Sequence, residues 1–310
     1  VVALRADIDA LPIQEKNEVD YASQNQGIMH ACGHDAHTSM LFGALMILRD
    51  LQAEYKGDVK FIFQPGEEKL PGGAKYMIEQ GVLKNPKPDL IVGQHVYPEL
   101  PAGKLGYKSG PYMASSDEIY ITIKGKGGHG AMPNKTDDTV YLASQLIQSL
   151  QQVVSRKASP TIPTVLTFGK IIGNGATNVI PDEVYLEGTF RTMNEPWRKE
   201  AHELIRRIAE NTVASSETNA EVSIIQGYPV LINDEAMTQK CMAYSGDLFG
   251  ESNIENLDIR MTAEDFAYYT QEIPGVFYRL GIANKSKGID SSLHTSTFNI
   301  DEEALKTGMA

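Results

Sequence analysis

Three short apolar runs in this chain break off in the same way, each at ionisable residues. That repeated break limits the fold more than any other feature. Residues 1–5 lead to Asp7 and Asp9, and residues 59–63 lead through Pro65 and Gly66 to Glu67 and Glu68. Residues 90–92 lead through Gly93 and Gln94 to His95. Short β-rich runs of this kind read as buried strands of an α/β sheet. Between the first two, Met40, Leu41, Ala44, Leu45, Ile47 and Leu48 recur at helical spacing, which predicts a helix over 38–53. A second is predicted over 73–79, stopped by Gly81. Strand–helix–strand alternation predicts a doubly wound sheet, in which ligands gather beyond the carboxyl ends of the strands. The acids and His95 fall at those ends.

The texture changes near Pro111. Residues 118–123 alternate like a half-exposed strand, and 139–154 are amphipathic and helical. Strands at 165–172 and 184–191, a helix at 200–213 and a strand at 222–226 complete the strand–helix–strand–strand–helix–strand order of a ferredoxin-like α+β unit. Beyond residue 227 the α/β texture returns, with helices at 234–249 and 263–271, a strand at 276–280, and a loop holding His294. The expectation is a small domain, 113–226, inserted into a discontinuous larger one, 1–112 and 227–310.

A formal net charge of -12 argues against nucleic acid or an anionic membrane as partner. Its two cysteines, Cys32 and Cys241, form no disulfide framework and fit a reducing, cytoplasmic compartment. No apolar stretch approaches bilayer-spanning length. The chain opens on strand-like Val1-Val2-Ala3-Leu4 without an initiating Met. Part of the native N-terminus is therefore expected to lie outside this numbering, which leaves targeting unreadable.

Cys32-Gly33-His34 places a thiol and an imidazole two residues apart, and a tight glycine turn lets both reach one point. Both are good ligands for a divalent transition metal; a buried cysteine beside polar loop histidines is the alternative. In the Glu67-Glu68 pair, neighbouring side chains point in opposite directions. One can bind a metal while the other works as general acid and base on a water; a solvated acidic turn is the alternative. His95 and His294 are further candidate ligands, or hydrogen-bonded structural residues. Asp7 and Asp9 suit either acceptors that orient a ligating imidazole or local caps. In Gly127-Gly128-His129-Gly130 the imidazole can donate to a developing oxyanion, or sit in a flexible hairpin. Arg191 can clamp a carboxylate or lie at the surface; Asn178 can donate a hydrogen bond or serve the turn before Pro181.

Together these motifs resemble the metal-dependent N-acyl-amino-acid amidohydrolase family. It includes hippurate hydrolases, N-acetyldiaminopimelate deacetylases and auxin-conjugate hydrolases. The likeness runs in order through residues 4–12, the octapeptide His30–His37, Phe63–Glu68, Gly93–His95, 127–133, 263–266 and 293–295. The resemblance implies two divalent ions, zinc or manganese, with nickel or cobalt also admissible, held by Cys32, His34, Glu68, His95 and His294. Cys32 would bridge them, and Glu67 would be the general acid and base. It also implies that the insert is a lid and dimerisation domain, whose His129 and Asn178 stabilise the tetrahedral intermediate. Arg191 falls where relatives hold a substrate carboxylate. Relatives usually extend further at both ends.

The expected function is hydrolysis of the amide of a small N-acyl amino acid by a homodimer. Water is activated at the ions and Glu67 moves the proton. A dipeptidase or exopeptidase on the same site is the neighbouring alternative. A non-catalytic, metal-stabilised binding module is the third, and retention of Glu67 beside Glu68 speaks against it.

Overall fold

The computed structural model describes residues 1–214, 216 and 218–310, which fall into two compact units. The first comprises Val1–Tyr112, Leu231–Ile259 and Glu264–Ala310; the second comprises Met113–Val230 and Arg260–Ala263.

The first unit is mixed α/β. Its six-stranded sheet has the order Ile254–Asn256, Leu105–Tyr107, Gly275–Ala283, Leu90–Pro101, Val2–Asp7, Val59–Gln64. The last four run parallel. Leu105–Tyr107 turns antiparallel to Gly275–Ala283. Ala3, Ile62, Ile91, Val276 and Leu280 are buried, as expected of parallel strands covered on their faces.

The strand predicted to stop at residue 92 continues to Pro101, so His95 lies inside a strand and not beyond its end. The register leaves this part of the strand paired on one side only. Val2–Asp7 pairs with this strand only from Val2↔Leu90 to Arg5↔Gly93, while Gly275–Ala283 follows it on the other side through His95. Past Gly93, one edge of the strand faces the site.

The helix predicted over 38–53 begins four residues earlier, as His34–Asp50. Residues 34–37 are mostly polar and carry no hydrophobic period, so the helical pattern could not reveal that first turn. Gly33 precedes the helix at φ 82°, and a Cβ there would lie 2.6 Å from Val96 Cγ2. Only glycine meets both demands. Asp35 lies in the first turn, where a carboxylate favours the helix dipole.

The second unit runs Asp117–Lys124, helix Thr139–Leu150, Thr164–Ile172, Glu183–Thr192, helix Glu195–Val213, Asn219–Gln226. Its antiparallel sheet has the order Asn219–Gln226, Asp117–Lys124, Glu183–Thr192, Thr164–Ile172. Ile119, Ile121 and Ile123 point into the core at the strand period of two. Trp197, Ala201, Leu204, Ile205 and Ile208 meet them at helical spacing. The helix expected at 200 starts at Glu195 because Asn194 accepts the Trp197 N–H at 2.8 Å, a cap worth about 1 kcal/mol.

This unit also ends later than residue 226. The Val230 N–H is held by Glu195 at 2.8 Å, and the Ala114 N–H bonds to carbonyls of Arg260 and Thr262. Among the described residues, no helix is long and apolar enough to cross a membrane.

Candidate metal centre

All five residues proposed as metal ligands lie in the first unit, and the fold brings them together. Cys32 Sγ lies 3.4 Å from His95 Nε2 and 3.3 Å from His294 Nε2. His294 Nε2 lies 3.2 Å from Glu68 Oε1. The ligating atoms of Cys32, His34 and His95 fall within 4.8 Å of one another, as do those of Cys32, Glu68 and His294. The two triads share one sulfur.

Local bonds aim each ligand. His294 sits at φ 61°, a region a non-glycine residue enters only when its surroundings compel it, and its N–H donates to Ala31 O at 2.8 Å. That bond fixes the loop of His294 against the residue preceding Cys32. The Nδ1 of His95 faces the Val96 carbonyl at 2.7 Å. A carbonyl can only accept, so Nδ1 carries the proton and Nε2 offers a lone pair. Burial first, then Arg279, holds His95 well below the usual histidine range, hence neutral.

His34 and His37 divide their labour. His37 Nε2 accepts the Val96 N–H at 2.9 Å and its Nδ1 donates to Asp7, so both of its nitrogens are engaged and neither can ligate. His34 Nδ1 donates to Asp9 Oδ1 at 3.1 Å, whereas its Nε2 is buried without a hydrogen-bond partner. Glu68 Oε1 is likewise buried and makes no well-aligned hydrogen bond, although His294 Nε2 stands 3.2 Å away. Two unsatisfied buried atoms cost about 1–3 kcal/mol each when nothing meets them. A cation would meet both, and the sulfur, nitrogen and oxygen donors suit a borderline divalent ion.

The electrostatics agree. Burial alone would lower His34, but Asp7, Asp9 and Glu68 outweigh it and raise its pKa to about 9. Burial, followed by Glu68, Glu67 and Asp7, pushes the Cys32 thiol well up. A bound cation reverses both demands, displacing a proton from each. Glu67 is buried and its carboxyl is raised well above the usual range, by burial and then by Glu264, Asp265 and Asp7.

Asp7 and Asp9 each face an imidazole. Asp7 holds His37, and Asp9 holds His34 while accepting the Glu68 N–H at 2.9 Å. Burial would raise Asp7, yet Arg5, then His37 and His34, keep it well below the usual carboxylate range.

In the second unit, His129 pairs with Val179, and the Gly130 N–H donates to Asn178 O at 2.8 Å. His129 and Asn178 are thus neighbours, and both are exposed. His129 Nδ1 accepts the Ala131 N–H at 3.0 Å, so the neutral ring presents Nε2–H as a donor. Arg191 Nη1 donates to Met261 O at 3.1 Å.

A model described as peptidase family M20/M25/M40 matches residues 3–310. The chain belongs to that family. Among the relatives of this M20/M25/M40 chain, IAA-amino acid hydrolase ILR1-like 4 of Arabidopsis thaliana is 41% identical over 311 residues, covering 99% of this chain and 70% of the relative. N-acetyl-L-cysteine deacetylase of Bacillus subtilis is 41% identical over 306 residues, covering 98% of this chain and 71% of the relative. The crystal structure of the Bacillus subtilis YXEP protein, described as a dinuclear metal binding peptidase from the M20 family, superposes with a TM-score of 0.80. It is 36% identical, over 99% of this chain and 78% of that one.

Four residues of this M20/M25/M40 site escaped the sequence reading: Arg5, His37, Glu264 and Asp265. The Arg5 guanidinium reaches Asp7 at 2.9 Å, Asp265 at 2.8 Å and Glu264 at 3.2 Å. His37 stands three residues after His34 on one helix, a spacing that puts both on one face. That spacing was the available signal. Glu264 and Asp265 had none beyond their place in a resembling motif, since their partners lie some two hundred residues away.

Proposed function

We propose that this protein hydrolyses the amide bond of small N-acyl amino acids at a two-cation centre in its first unit. The observation that carries the reading is the pair of ligand triads sharing Cys32 Sγ, with Glu67 beside them. One cation would be held by Cys32, His34 and His95, the other by Cys32, Glu68 and His294. The relatives named IAA-amino acid hydrolase and N-acetyl-L-cysteine deacetylase, and the neighbour described as a dinuclear metal binding peptidase, support it.

When bound, the cations supply Lewis acidity to the scissile carbonyl and to water. Glu67 takes the proton of the attacking water and returns it to the departing amine. It lies buried among Glu264, Asp265 and Asp7, which hold its carboxyl above the usual range in the metal-free protein. The first unit would be the doubly wound catalytic part, and the second a ferredoxin-like lid. His129 Nε2–H and Asn178 would stabilise the oxyanion, and Arg191 would bind the substrate carboxylate. The lid's edge strand Thr164–Ile172, with exposed Ile171 and Ile172, suits pairing of two copies into a homodimer.

The test is to strip the protein with chelator, restore zinc, manganese, nickel or cobalt in turn, and assay N-acetyl and N-benzoyl amino acids against dipeptides. Metal-dependent cleavage of the acyl amino acids is expected. Faster cleavage of dipeptides would make it an exopeptidase, and full metallation with neither activity would overturn the reading.

A further inference from the structure

Asp265 is fully buried, and each oxygen accepts twice. Oδ1 takes Arg5 Nη2 at 2.8 Å and Gln64 Nε2 at 2.9 Å; Oδ2 takes Gln64 Nε2 at 2.8 Å and the Ala74 N–H at 3.0 Å. Gln64 ends the strand before Glu67 and Glu68, and Ala74 lies in the first turn of the helix that follows them. Both feet of the loop 65–73 therefore stand on one carboxylate. The loop is closed tightly at its base, where the Gly73 N–H bonds to Gly66 O at 2.9 Å and a Cβ on Gly73 would lie 1.5 Å from Pro65 O. Arg5 carries the connection onward through Asp7 and His37 to the Val96 N–H, next to His95.

Glu67, Glu264 and Asp265 also bring carboxylate oxygens within 4.8 Å of one another. They do not make a further cation site, because Arg5 already lies against Glu264 and Asp265 and the Asp265 oxygens are taken by donors.

We propose that Asp265 is a positioning residue of the metal centre. As the common anchor of the Glu67–Glu68 loop and of Arg5, it sets where Glu68 ligates and where Glu67 meets water. The proposal rests on the two-cation reading above. It makes a chemical demand that packing alone would not. Arg5 Nη2, Gln64 Nε2 and the Ala74 N–H are all donors, so the residue at 265 must accept on both oxygens. An amide of the same shape turns an NH2 group toward a donor and loses either the Ala74 foot of the loop or the bond from Arg5.

The experiment is a cobalt titration of the chelator-stripped chain, read by the cobalt–thiolate and ligand-field absorption bands, together with steady-state kinetics. Asp265→Asn is expected to bind cobalt about 10–100-fold more weakly, with shifted ligand-field bands and a lowered kcat at nearly unchanged KM. Should Asp265→Asn fail to fold, Gln64→Asn withdraws the amide by one methylene and leaves the Arg5–Asp265 pair. It is expected to show the same spectral shift and a smaller loss of affinity. Wild-type affinity, bands and kcat in whichever variant folds, with only the melting temperature lowered, overturns the proposal and leaves the metal centre standing. A wild-type protein that takes up no cobalt would overturn the two-cation reading itself.

Discussion

Cys32 Sγ and His294 Nε2 lie 3.3 Å apart across a sequence separation of 262 residues. The contact is held by backbone as well as side chain, since the His294 N–H bonds to Ala31 O. A thiol in this position, raised by burial and three carboxylates, gives up its proton readily only to a cation. Metal uptake by the stripped protein should accordingly release protons, and apparent affinity should fall as pH falls. Calorimetry in buffers of different ionisation enthalpy measures both.

Glu67→Gln should keep its metal and lose most of its turnover, by about 10²–10⁴-fold. Metal content and kcat, measured on one preparation, decide it; near-normal kcat would remove Glu67 from the mechanism.

The same variant has an opposite effect on stability. In the metal-free protein, the Glu67 carboxyl titrates well above its ordinary 4.5. Between those two values the folded state holds a proton that the unfolded state has lost, so stability declines as pH rises through the folded value. Glu67→Gln removes that loss. Metal-free E67Q should therefore melt higher than metal-free wild type at neutral pH, by about 2–4 °C for each 1 kcal/mol relieved. The difference should vanish as pH approaches 4.5.

His37 is not one of the five proposed ligands, yet it joins Asp7 to the backbone beside His95. His37→Ala should weaken metal affinity or activity by about 10–100-fold. A competition assay with a chromophoric chelator would show this; unchanged affinity and kcat would reduce His37 to packing.

The second unit has its own buried ion pair. Arg198 donates to Asp117 from Nε at 2.9 Å and from Nη2, and reaches the Gly227 carbonyl at 3.0 Å. Arg198→Met leaves the buried Asp117 carboxylate to His202 and the Gly227 N–H and should cost up to about 3–5 kcal/mol. Urea unfolding of the intact chain would detect it.

His129→Ala should leave metal binding unchanged while lowering kcat by about 10²–10³-fold, the usual loss for one oxyanion donor. Metal titration and kcat together separate this from a structural effect.

Much of this protein was legible without coordinates because its chemistry is written in local steps. Cys32, Gly33 and His34 are consecutive, and the glycine that permits their turn stands between them. Glu67 and Glu68 follow a strand and a Pro-Gly break, so their type and neighbourhood were readable. The alternating isoleucines 119, 121 and 123 announced the sheet of the second unit. The first turn of the helix His34–Asp50 was not legible, because it buries polar histidines rather than an apolar stripe.

By itself, the sequence determined which donor types this chain can offer and which strands and turns present them, since those follow from neighbours a few residues apart. Tertiary structure alone decided that His95 emerges from within a strand, that His294 crosses to Cys32, and that Asp265 supports the loop of Glu67. The reason is physical. Parallel strands are joined by long crossovers, so residues meeting at their ends are distant along the chain. A buried charge such as Asp265 also shows its purpose only when the donors facing it are in place.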